Sequence, residues 1–133
     1  MTAARRNATL EASNAVANVF PKQYRLIRTD EFSSVFGFRR SVKSRHFLLH
    51  YRPRNAKEDD GARLGLVIAK RFVRRAVDRN LLRRLCRENF RLLRPHLKAY
   101  DFILRVAGKP SVVDRQAMAA EIRQLLNKMT SGH

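Results

Sequence analysis

Between Arg74 and Leu93 the chain reads RRAVDRNLLRRLCRENFRLL, and the spacing of its apolar residues points to a helix. At about 100° per residue, Val77, Leu81, Leu82, Leu85, Cys86, Phe90, Leu92 and Leu93 fall on one broad arc. Arg83, Arg84, Arg87, Arg91 and Arg94 fall on the other side, around Asn80. An apolar arc that wide seats a helix against a sheet. Pro95 forbids a further turn.

The charge on this helix is one-sided. From Arg63 to Arg94 there are ten arginines and Lys70 against only Asp78 and Glu88. A charge run is commonly a solvated face, but here acidic partners at i±4 are almost absent, so the arginines repel one another until an anion arrives. A planar guanidinium grips phosphate oxygens through two donors and stacks on bases, as an ammonium cannot. The favoured partner is therefore a polyanion, nucleic acid above all.

The excess extends to the whole chain, whose 133 residues carry a formal charge of +18. That length fits one domain, and 44% hydrophobic residues suffice for a core. Cys86 is the single cysteine, which rules out a disulfide within the chain and reads as a small core residue. No apolar run approaches the ~18 residues of a membrane span. Asn, Ser, Glu and Thr interrupt the first twenty residues, unlike a signal peptide. A cytoplasmic protein with no membrane association is expected.

Residues 1–19, rich in Ala and Asn, read as a disordered extension before a domain over 20–130. RLIRTDEFSSVF (25–36) is a short helix capped by Thr29 or Asp30, with Phe32, Val35 and Phe36 at i, i+3, i+4. SRHFLLHYR (44–52) alternates as a strand. Arg45, Phe47, Leu49 and Tyr51 lie on one face, and His46, Leu48, His50 and Arg52 on the other. A polar loop with a turn at Asp60-Gly61 leads to LGLVIA (64–69), expected to pair with the first strand as a hairpin. Leu64, Leu66 and Ile68 would face the core, leaving Gly65, Val67 and Ala69 as a shallow open floor. After the basic helix, YDFILRV is a further strand, and Ser111 or Asp114 caps a last helix bearing Met118, Ile122, Leu125, Leu126 and Met129. The predicted fold is a single α/β (α+β) domain in the order helix, strands, helix, strand, helix.

A magnesium-dependent nuclease needs converging carboxylates. The eleven acidic residues here are dispersed, apart from Glu58, Asp59 and Asp60 in the loop. His46, His50, His96 and His133 show no zinc spacing, and no phosphate-binding glycine loop or serine elbow is present. No catalytic residue, metal site or bound cofactor is assigned. By its residues the protein binds RNA or DNA without cutting it.

At AKRFVRRAVDRNLLRRLCRENFR (69–91) the chain resembles the bacterial ribonuclease P protein family, whose signature is a basic helix with Arg-Asn-Arg, a Lys/Arg pair and Arg-Glu. The resemblance extends to FPKQYRLIRTDEFSSVF, to SVKSRHFLLH (41–50), to RLGLVIAKR, and from YDFIL to Lys109-Pro110, in family order. It implies a fold like the second domain of ribosomal protein S5, with a left-handed βαβ crossover. It also implies assembly with a catalytic RNA that removes the 5′ leader of precursor tRNA, the RNA holding Mg2+ and making the cut. The chain would then be an accessory subunit of an endoribonuclease, with no obligate protein partner. On the motif, Lys70, Arg71, Arg74, Arg75, Arg79, Asn80, Arg83, Arg84 and Arg87 are expected to bind the catalytic RNA. Phe32, Phe36, His46 and His50 are expected to bind the leader.

Two residues depart from the family pattern. Leu81 replaces the third residue of Arg-Asn-Arg, and His50 stands where some members carry a tyrosine, implying weaker or partly ionic stacking. The rival readings are a general single-stranded RNA-binding or ribosome-associated basic protein, an autonomous nuclease and a DNA-binding module. The first shares the charge without the ordered motifs.

Overall fold

The computed structural model describes residues 24–54 and 61–130. The predicted extension over 1–19, the acidic cluster at 58–60 and His133 lie outside them. Among the described residues three helices and four strands follow in the order α1 (Thr29–Phe38), β1 (Ser41–Lys43), β2 (Phe47–Pro53), β3 (Arg63–Val67), α2 (Ala76–Leu93), β4 (Tyr100–Val106) and α3 (Arg115–Asn127). The sheet order is β1-β2-β4-β3. β1 and β2 are antiparallel, β2 and β4 are antiparallel, and β3 and β4 are parallel neighbours joined through α2.

This order corrects the expected pairing of the strand at 44–52 with 64–69. β4 lies between them, because Phe102, Ile103, Leu104 and Val106 are buried on both of its faces and only a central strand offers two covered faces. The stretch 41–50 is likewise not one strand but two, β1 and β2, closed by a turn in which Ser44 N donates to Phe47 O at 2.9 Å.

α2 and α3 cover one face. Their core includes Phe47 and Leu49 of β2, Phe102 and Leu104 of β4, Leu82, Leu85 and Phe90 of α2, and Met118, Ile122, Leu125 and Leu126 of α3. Phe90 meets Phe102 edge-on at 6.5 Å, and Tyr100 stacks on Phe102 at 6.0 Å. The apolar stripe of α2 outruns its cover at both ends, since Val77 and Leu92 are each 58% exposed. Asn89 is buried instead, its Nδ2 donating to Leu85 O at 2.8 Å. Cys86 is buried among these side chains, and burial pushes its thiol well above the usual range, which removes it as a nucleophile. Asp114 caps α3 as expected, accepting from Ala117 N at 2.8 Å.

α1 covers the opposite face. Its start differs from the expected Thr29 or Asp30 cap: Glu31 reaches back, and its Oε1 accepts from Ile27 N and Arg28 N at 2.9 and 3.0 Å. Asp30 pairs with Arg28. Leu26, Val35 and Ile103 form a second small core with Phe32 and Val67.

Candidate nucleic-acid interface

The composition of the α1 side of the sheet follows from the register. Across the strands, Ser41, His50, Ile103 and Gly65 form one row, and Lys43, Leu48, Arg105 and Val67 form the next. α1 lies over the first of these. Phe32 packs on Gly65, where an added Cβ would stand 2.7 Å from the Phe32 ring and 3.2 Å from Leu26. The floor expected to be open at Gly65 is therefore covered by Phe32, and this glycine is what lets α1 approach so closely.

Phe36 and His50 meet edge to face, with ring centroids 4.8 Å apart. Phe36 keeps 37% of its surface exposed, and Phe38, which the sequence reading missed, keeps 44%. Arg105 Nε donates to His50 Nε2 at 3.2 Å. Burial, and then the Arg105 charge, hold the His50 pKa below its ordinary value, so at neutral pH the ring is uncharged. His46 is not on the same face. It sits in the turn before β2 and faces α3, where its Nδ1 lies 2.8 Å from Glu121 Oε1.

The start of α1 is held to the sheet by ion pairs. Arg63 donates to Asp101 through Nε at 2.8 Å and Nη2 at 2.9 Å, and to Glu31 of α1 at 3.1 Å. Burial works to raise the Glu31 pKa, but the Arg28 and Ile27 amides and the Arg63 charge outweigh it and hold the carboxyl below its usual range. α1 is thus pinned to the sheet by charge at its start and by aromatic packing along its length.

The basic residues follow β3. Beyond Val67 the chain leaves the sheet through a loop carrying Lys70, Arg71, Arg74 and Arg75, all exposed. Arg71 lies over the Phe72 ring at 4.8 Å. On α2, Asn80, Arg84 and Arg87 are exposed, and Arg83 is half-buried with its Nη1 on Asn80 Oδ1 at 3.1 Å. Arg79 differs from its neighbours, because its Nη1 donates to Val73 O and Arg74 O at 3.0 and 2.8 Å. That guanidinium ties the loop to the helix start. Leu81 is half-buried against the main core, which is what a leucine at that motif position can do. Arg94 is drawn away from the basic face, over the Tyr24 ring at 3.5 Å and onto Ala62 O at 2.8 Å.

Among the described residues no carboxylate forms an ion pair with Lys70, Arg71, Arg74, Arg75, Arg79, Arg83, Arg84 or Arg87. Burial and the adjacent charges of Arg25 and Arg83 depress the Arg87 pKa, though an arginine stays charged regardless. Like charges held together in this way raise the local positive potential of the surface. Among the described residues no three side chains of His, Cys, Asp or Glu come together as a metal site, and no helix is long and apolar enough to cross a membrane.

Comparison with known proteins identifies the family. The Ribonuclease P family model matches residues 20–130. The ribonuclease P protein component of Azoarcus sp. is 46% identical over 106 residues, covering 80% of this chain and 86% of that protein. A Staphylococcus aureus RNase P protein mutant with defective mRNA degradation activity superimposes with a TM-score of 0.69 at 28% identity, over 80% of this chain and 88% of that one. The RNase P protein from Thermotoga maritima gives 0.65 at 26% identity, over 80% and 98%. The chain belongs to the bacterial ribonuclease P protein family, the protein component of an endoribonuclease whose catalysis resides in its RNA.

Proposed function

We propose that the chain holds two RNAs at once: the basic loop and α2 lie against the catalytic RNA, and the cleft beside Phe36 and His50 holds the single-stranded 5′ leader of precursor tRNA. The observation that carries this reading is the cationic surface, without acidic partners among the described residues, that begins where β3, beneath α1, ends. Stacking on Phe36 holds a base whatever its identity, because every base presents a π face. Cations beside it neutralise the phosphates. Mg2+ is bound by the catalytic RNA and substrate, and the protein's charge lowers the concentration that they require. The assembly works in the cytoplasm.

Phe36 gives a cleaner test than Phe32, which is packed on Gly65 and contributes to the fold. Phe36→Ala is expected to weaken binding of leader-bearing precursor to the holoenzyme by about 1–3 kcal/mol, the range for one stacked base. Mature tRNA should bind as before. Equal losses for both substrates would remove the leader from the cleft.

A further inference from the structure

We infer that the β1–β2 hairpin is a preset arm gripping the phosphates of single-stranded RNA that leaves the cleft, and that Glu121 is its positioning residue. This deepens the reading above and rests on it. From Phe38 to Arg54 the chain contains Arg39, Arg40, Lys43, Arg45, Arg52 and Arg54 and no acidic residue. Arg39, Arg40, Lys43 and Arg45 are exposed, and no carboxylate among the described residues forms an ion pair with them. The register places Lys43 beside Leu48, so β1 adds a cation to the row already holding Arg105. Arg39, in the left-handed region at φ 61°, turns the chain from α1 into β1, and Tyr51 N donates to Arg40 O at 3.1 Å. The arm therefore continues the cleft past Phe36.

A short hairpin at a sheet edge is ordinarily among the softer parts of a fold. This one is fastened from below. Glu121 of α3 accepts at Oε2 from Ser44 Oγ and from His46 N at 2.6 Å, and its Oε1 meets His46 Nδ1 at 2.8 Å. His46 O accepts from Ala107 N and Gly108 N at 2.8 and 3.2 Å, and Lys43 O accepts from Lys128 Nζ at 3.3 Å. An added Cβ on Gly108 would stand 3.1 Å from Arg45 O, so this close approach suits a glycine. Burial alone would raise the Glu121 pKa, but the hydrogen bonds from Ser44 and His46 hold it below the usual range. The carboxylate beneath the arm thus has both oxygens occupied, while the cations above it have no acidic partner among the described residues. Basic residues on an edge strand also guard against strand-to-strand aggregation. That role needs charge but no fixed turn, and the fastening is what favours docking of a polyanion.

The test uses holoenzyme reconstituted with its catalytic RNA and precursors bearing either a short leader that ends in the cleft or a long one. The double variant R40A/R45A should bind the long-leader precursor about tenfold more weakly and the short one unchanged. Its salt slope on the long leader should fall by about 1.4, at ~0.7 per single-strand phosphate contact. Glu121→Ala should weaken the long leader in the same direction without changing affinity for the catalytic RNA. Combined with Arg45→Ala, it should cost less than the sum of the two. An unchanged slope and affinity for R40A/R45A, with Phe36→Ala still selective for the leader, would overturn the arm and leave the cleft standing. Equal losses on both leaders would overturn it too, by placing the arm on the tRNA body. Strict additivity of Glu121→Ala and Arg45→Ala would remove Glu121 as the positioning residue.

Discussion

Replacing Asp101 with alanine is expected to destabilise the protein by about 3–5 kcal/mol, the cost of breaking a buried ion pair from one side. Asp101 is 5% exposed and accepts two hydrogen bonds from Arg63, while the buried Arg54 guanidinium has its Nε 3.6 Å away. Without the carboxylate, Arg54 stays buried without its ion-pair partner among the described residues, and Arg63 loses two hydrogen bonds while keeping its contact with Glu31. Because Arg63 also ties α1 to the sheet, leader binding should weaken along with stability. The measurement is a urea unfolding midpoint at unchanged slope. A loss below about 1 kcal/mol would put the network in the class of surface pairs that contribute little and contradict the assignment.

A second large effect is expected on RNA affinity with the fold left intact. Lys70, Arg71, Arg74 and Arg75 are exposed and have no acidic partner among the described residues, so changing all four to alanine should alter stability by no more than about 0.5 kcal/mol per site. Affinity for the catalytic RNA should fall on the order of a hundredfold. The slope of log affinity against log salt should flatten by about 3.6 if each residue meets one phosphate at the duplex value of ~0.9. Arg79 is excluded from the set because its guanidinium holds the Val73 and Arg74 carbonyls. An unchanged salt slope would remove this loop from the interface.

The basic helix was legible because its signal is local. Spacing alone placed Leu82, Leu85, Cys86 and Phe90 inside and Arg84, Arg87 and Arg91 outside, and the same holds for the buried face of α3. Strand pairing is not local, and there the expectation fails: YDFILRV reads as one more strand, and its consecutive Phe102, Ile103 and Leu104, which fill both faces of a central strand, are too short a run to mark it as one. Gly65 was read as open floor because a glycine in a strand signals close approach without naming what approaches, here Phe32 from α1. His46 was placed beside His50 by extrapolating strand alternation through a turn that the sequence does not mark. The clamp made by Glu121 lies 75 residues from His46 in the chain, beyond any spacing rule. Arg79 shows the same limit on the basic face, since an arginine that caps a loop and one that meets a phosphate look alike in sequence.

The most direct test of the central claim is cleavage of a leader-bearing precursor tRNA at low magnesium by the protein alone, by the cognate catalytic RNA alone, and by the two together. The account predicts efficient cutting at the mature 5′ end only by the combination. Cutting by the protein alone would contradict it, because these carboxylates would then hold a catalytic site. Equal rates with and without the protein would also contradict it, reducing the chain to a general RNA-binding protein.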